Sequence, residues 1–139
     1  MYGLHPNGLP DLFIDRSLGR YRVPSALRAA GLRLTTLAER YGVPADEQVT
    51  DVDWLSDAGR RGEVVFLKDE RIRYNVAERT AVREHAVRCF CLSRKDLNAN
   101  EMAALYIDRL PAIVRACSSE GPFIFVVNRG GLRRVPLGA

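Results

Sequence analysis

Val64-Val65-Phe66-Leu67-Lys68-Asp69-Glu70-Arg71-Ile72 is the stretch on which the reading of the chain turns. An apolar run that stops abruptly at an acid among bases reads as a buried strand delivering a carboxylate. The pattern occurs once more upstream, where Leu12-Phe13-Ile14 runs into Asp15-Arg16-Ser17-Leu18-Gly19. In open α/β sheets, ligands bind in the crevice beyond the carboxyl ends of the strands. Asp15 and Asp69 are therefore expected to converge on one site despite their separation in sequence.

Between and around these two strands the pattern alternates. Pro24, suited to a first helical turn, leads into a short helix, Ser25-Ala26-Leu27-Arg28-Ala29-Ala30, stopped by Gly31. Leu32-Arg33-Leu34-Thr35-Thr36 alternates as a second strand, completing a β-α-β unit. Leu37 to Tyr41 extends as a helical turn, followed by an acidic, polar loop over 44–50. Thr50 caps the next helix, with Asp53 placed to reach back to the cap amide and Arg60-Arg61 before the stop at Gly62. After the third strand (64–68), Asn75 caps another helix and Arg88 to Leu92 form a fourth strand. Asn98 and Glu101 make a capping-box start for the longest helix, which Pro111 kinks, and Pro122 to Val127 form a fifth strand. This alternation implies an α/β fold, a three-layer α/β/α sandwich with a mainly parallel central sheet. Residues 1–11, rich in Gly and Pro, are expected to be a flexible arm, and residues 128–139 a basic turn and tail.

The 139 residues, 47% hydrophobic and 27% charged, suit one domain with a single core. No apolar run is long enough to span a bilayer, and the N-terminal residues lack the pattern of a signal peptide, so a cytoplasmic protein with no membrane association is expected. Cys89, Cys91 and Cys117 are an odd set that reads as buried small hydrophobes. Without a second cysteine pair they do not match a zinc site. The net charge of +4 comes mostly from arginines, which make bidentate contacts with phosphate, although charge alone does not decide a polyanion partner.

The candidate chemistry lies in Asp15 and Asp69 at strand ends, with Asp51 and Asp53 at the start of the helix leading into the third strand. Mg²⁺ and Mn²⁺ prefer oxygen ligands, and Mg²⁺ is commonly held by one or two carboxylates with water and substrate phosphate. Such an ion would activate water and stabilise the charge that develops on a phosphodiester. Arg16, Arg20, Lys68, Arg71 and Arg73 would hold the nucleic-acid backbone. Simpler roles compete: Asp51 and Asp53 occupy a helical first turn, where acids are favoured without any ligand, and Asp15 or Asp69 can pair with a neighbouring arginine. Glu101 reads as a capping residue, His85 as a helix-face residue, and Trp54 as packing.

In this order and spacing, Phe13-Ile14-Asp15-Arg16-Ser17-Leu18-Gly19, Asp51-Val52-Asp53-Trp54-Leu55 and Phe66-Leu67-Lys68-Asp69-Glu70-Arg71-Ile72 resemble the successive acid motifs of PIN-like domains, especially the VapC-type toxins of bacterial toxin and antitoxin pairs. The resemblance spans about Leu12 to Val127. It implies a ribonuclease using Mg²⁺ or Mn²⁺ on clustered acids, inhibited by a cognate antitoxin and often a homodimer. Asp15 matches the first-strand acid, Asp51 or Asp53 the helix acid, and Asp69 the acid after the third strand. No clear fourth acid follows the fourth strand, where Asp96 and Asn98 are no convincing match, which leaves open one metal or two. That gap favours a second reading, a PIN-like module that binds nucleic acid or protein without cleaving. A phosphoacceptor receiver domain is a third, disfavoured because Val126-Val127-Asn128-Arg129 supplies no lysine at the end of the fifth strand.

Overall fold

Every residue of β1 (Leu12–Ile14) and of β3 (Val64–Leu67) is buried, as parallel strands covered on both faces must be. The computed structural model describes residues 4–68, 72, 74–92 and 96–137. The remaining elements are α1 (Arg22–Ala29), β2 (Leu34–Thr36), α2 (Leu37–Tyr41), α3 (Asp51–Arg61), α4 (Val76–Glu84), β4 (Arg88–Leu92), α5 (Ala99–Asp108), α6 (Leu110–Ala116), β5 (Phe123–Asn128) and β6 (Gly131–Val135), with 3-10 turns at Arg16–Leu18 and Ala45–Gln48. The sheet order is β2-β1-β3-β4-β5-β6. The first five strands run parallel and β6 is antiparallel to β5. Ile14 pairs with Phe66 and Phe66 with Phe90, so the carboxyl ends of β1, β3 and β4 lie side by side.

Two apolar layers close the sandwich. Val23 and Leu27 of α1, Met102, Leu105 and Tyr106 of α5 and Ile113 of α6 cover one face, together with Leu12, Ile14, Phe66 and Phe90. Leu37 of α2, Trp54, Leu55 and Ala58 of α3 and Ala81 and Val82 of α4 cover the other, with Phe13, Val65, Cys89 and Cys91. Strand alternation explains the division, since successive side chains leave opposite faces. All three cysteines are buried, in keeping with their expected role as small hydrophobes. Gly59 allows α3 to approach the end of α4, because a Cβ there would fall 2.5 Å from the His85 carbonyl oxygen.

The caps follow the sequence, except that among the described residues Asp53 does not return the expected bond to the Thr50 amide. Thr50 Oγ1 accepts from the Asp53 amide, and Gly62 ends α3 in the left-handed conformation. Asn75 caps α4, and Asn98 and Glu101 form the expected capping box. Some expectations differ from the structure. Helix α1 begins at Arg22, which puts Pro24 at its third position. The long helix is two, because Pro111 falls within the first turn of α6, where its missing N–H is harmless. The region expected as a basic tail folds back as β6, pairing Val135 with Ile124. The expected arm is partly tied down: Leu9 is buried, and the His5 ring contacts the Leu9 carbonyl oxygen and the Arg33 amide.

Tyr106 fastens α5 to the sheet. Its ring stacks on Phe66 at 4.0 Å, and its hydroxyl lies 2.9 Å from the Leu67 carbonyl oxygen and 2.8 Å from that of Phe90. Tyr106→Phe keeps the stack but leaves both buried carbonyls without this donor, so it is expected to destabilise the fold by about 1–3 kcal/mol. Urea denaturation measures this, and a change within error would show that the carbonyls find another donor.

Candidate active site

The first apolar run ends in Asp15, whose amide donates to the Phe66 carbonyl oxygen at 3.1 Å. This bond extends the ladder by one residue and sets the carboxylate beside the end of β3. Only 3% of Asp15 is exposed. Its Oδ2 accepts from the Ser17 hydroxyl at 2.7 Å and, more weakly, from the Ser17 amide at 3.3 Å. Its Oδ1 is sealed from solvent and has no hydrogen-bond partner among the described residues. The Ser17 oxygen in turn accepts from the Lys68 amide at 2.8 Å, so one hydroxyl links the end of β1 to the end of β3.

Burial pushes the Asp15 carboxyl above its ordinary range, and the negative charge of Asp51 pushes it the same way, against the Ser17 hydrogen bonds. Asp51 is half-buried and Asp53 exposed. Trp54, one helical turn on, donates its indole N–H to Asp51 Oδ1 at 2.9 Å and stacks on Phe13 at 5.3 Å. Trp54 therefore orients a carboxylate as well as packing. The i, i+3 spacing of Asp51 and Trp54 on one helix face was the signal available in the sequence. Of the two helix acids, Asp51 is the one that acts electrostatically on Asp15.

Two of the candidate basic residues, Arg16 and Arg20, are engaged by other parts of the chain. Arg16 donates to the Val49 carbonyl oxygen at 2.6 Å. Arg20 pairs with Asp46 at 2.7 Å. Asp46 is only 4% exposed, and its Oδ1 is also sealed without a hydrogen-bond partner among the described residues. The polar loop expected over 44–50 is thus fastened to the segment after β1, with a buried acid at its centre. Lys68 is half-buried. Asp69, Arg71 and Arg73 lie outside the described residues.

Among the described residues no three His, Cys, Asp or Glu side chains form a group able to enclose a metal. Asp15 and Asp51 nevertheless suit a hard divalent cation. Both offer oxygen donors, they repel each other without a counter-charge, and Oδ1 of Asp15 has no hydrogen-bond partner among the described residues. These features are what a cation between them would relieve.

A family model described as "PIN like domain" matches residues 10–94. The chain belongs to the PIN-like family. A second comparison agrees: over 127 residues the chain is 43% identical to "Putative ribonuclease VapC45" of Mycobacterium tuberculosis, covering 91% of this chain and 92% of the relative. The match makes this a VapC-type PIN-like protein. No solved structure matches the chain. The three-layer sandwich, with its mainly parallel sheet, agrees with the PIN-like architecture expected from the sequence. Among the described residues, no helix is long and apolar enough to cross a membrane.

Proposed function

We propose that this PIN-like chain is a metal-dependent endoribonuclease, the toxin of a toxin and antitoxin pair, acting in the cytoplasm on RNA and held in check by a cognate antitoxin. The observation that carries the reading is Asp15: a buried carboxylate at the carboxyl end of a central strand, with one oxygen bare and a second acid close enough to perturb it. The identity to a relative named as a ribonuclease supports the reaction class. Asp15, Asp51 and Asp69 are proposed as the acids that hold Mg²⁺ or Mn²⁺.

When bound, the ion supplies an activated water and charge stabilisation at the phosphodiester. The chain's own residues have distinct tasks. Asp15 presents Oδ1 while Ser17 holds Oδ2. Trp54 fixes the rotamer of Asp51 through the indole N–H. Tyr106 and the Lys68–Ser17 bond keep the ends of β1, β3 and β4 from separating. Within this scheme Arg16 and Arg20 shape the loop over 44–50. Phosphate contact is left to Lys68, Arg71 and Arg73.

The test is cleavage of a labelled mixed RNA pool by purified protein in Mn²⁺, in Mg²⁺ and in EDTA, together with thermal unfolding in the same buffers. Cleavage should require the metal. A ligand that binds only the folded state raises the melting temperature in proportion to ln(1 + [L]/Kd), so the metal is also expected to raise Tm in the absence of RNA. Unchanged Tm and no cleavage with either metal would favour a PIN-like module that binds without cutting.

A further inference from the structure

We propose that a groove between α1 and α5 seats an unpaired nucleobase of the RNA strand, stacked on Tyr21, at the same end of the sheet as Asp15. This rests on the ribonuclease reading and adds to it a subsite for single-stranded substrate. The groove has a volume of about 510 Å³ and is lined by Tyr21, Arg22, Ser25, Ala26 and Asn100. Helix α1 follows β1 and α5 follows β4, so both begin near the carboxyl end of the sheet, where Asp15 lies. Tyr21 is six residues from Asp15, which limits their separation to about 21 Å even for a fully extended chain.

The residues suit a base. Tyr21 is 73% exposed, and its ring stacks on no other aromatic ring among the described residues. An aromatic ring left largely in water is unusual for structural packing but is what a stacking platform requires, because every base presents a π-face. Ser25 and Ala26 are small and leave room beside the ring. Asn100 is exposed, and its amide carries both a donor and an acceptor for a base edge. Arg22 is exposed and makes no hydrogen bond or ion pair among the described residues. It is therefore available to phosphate, whereas Arg16 and Arg20 are committed to Val49 and Asp46. The net charge of +4 favours a polyanionic partner for the chain as a whole, and Arg22 is the base that lines this groove. Stacking on one ring tolerates any base, so the groove selects unpaired strand over duplex more than it selects sequence.

The experiment measures anisotropy of a fluorescein-labelled single-stranded RNA of mixed sequence in EDTA, where no cleavage is expected, with wild-type, Tyr21→Ala and Tyr21→Phe proteins. Loss of one stacking contact should weaken binding about tenfold or more in Tyr21→Ala, whereas Tyr21→Phe should stay within about twofold. In cleavage assays Tyr21→Ala should raise KM with little change in kcat. A single abasic site at the stacked position should weaken wild-type binding and leave Tyr21→Ala unaffected. Wild-type affinity and KM in Tyr21→Ala, with metal-dependent cleavage intact, would overturn the subsite and leave the nuclease reading standing. Absence of RNA binding and of cleavage by the wild-type protein would overturn both.

Discussion

Asp15→Asn protein is expected to cleave RNA about 10²-fold or more slowly than wild type and, in EDTA, to resist urea at least as well. The two effects have one source. Asp15 Oδ1 is sealed from water with no hydrogen-bond partner among the described residues, in the field of Asp51. An isolated buried carboxylate is far more costly than an unpaired neutral amide, which amounts to roughly 1–3 kcal/mol on mutational scales. The asparagine oxygen still accepts from Ser17, so the substitution removes the charge while keeping the geometry. Activity and stability then move in opposite directions, as expected where a site holds destabilising charge for function. The metal-dependent rise in Tm should shrink in the variant. Cleavage at the wild-type rate, with the fold confirmed, would remove Asp15 from the site. Easier unfolding in EDTA would show that its charge is satisfied in the free protein.

Glu63→Ala is expected to destabilise the protein by about 3–5 kcal/mol, because it strands a buried arginine. Arg40 and Glu63 form a two-pronged pair, at 2.7 and 2.5 Å, with side chains only 8% and 9% exposed. The Arg40 guanidinium also lies 4.8 Å from the centroid of the Phe13 ring, so it is held over the strand that delivers Asp15. Total stability of a domain this size is typically about 5–15 kcal/mol, so the loss takes up a large share of the margin. Replacing both residues by methionine is expected to recover most of it, since a buried ion pair contributes little beyond what apolar packing of the same volume provides. Urea denaturation of Arg40→Met, Glu63→Met and the double variant forms the cycle that measures the coupling. A Glu63→Ala protein within about 1 kcal/mol of wild type would show that water reaches Arg40.

The strand ends were legible because an apolar run that stops at an acid carries both its burial and its direction in the order of residues. Asp51 and Asp53 could not be separated in that way. Both suit a helical first turn, and what singles out Asp51 is the effect of its charge on Asp15 in the folded chain, with Trp54 holding its Oδ1. Arg16 and Arg20 were expected to face phosphate because they flank an acid, yet they fasten the 44–50 loop through Val49 and the buried Asp46. Burial inside a short 3-10 turn leaves no periodic trace among polar residues, so nothing in the acidic, polar run over 44–50 marked Asp46 as buried. Strand β6 was obscured by Arg133 and Arg134, exposed residues of an edge strand whose basic character resembles a tail. The Arg40–Glu63 pair joins residues far apart in sequence, and no local pattern announces it. The acids on which the proposed chemistry rests could thus be nominated from sequence, whereas the residues that hold them in place could not.

Ser17 is the hydroxyl in contact with Asp15, and its proton is already placed. It donates to Asp15 Oδ2 while its oxygen receives the Lys68 amide. A hydroxyl with one proton, committed to a carboxylate, has none to lend to a departing alkoxide. An oxygen released by a phosphodiester opening at this end of the sheet would therefore not take its proton from Ser17, which is placed as a spacer between two strands and not as an acid.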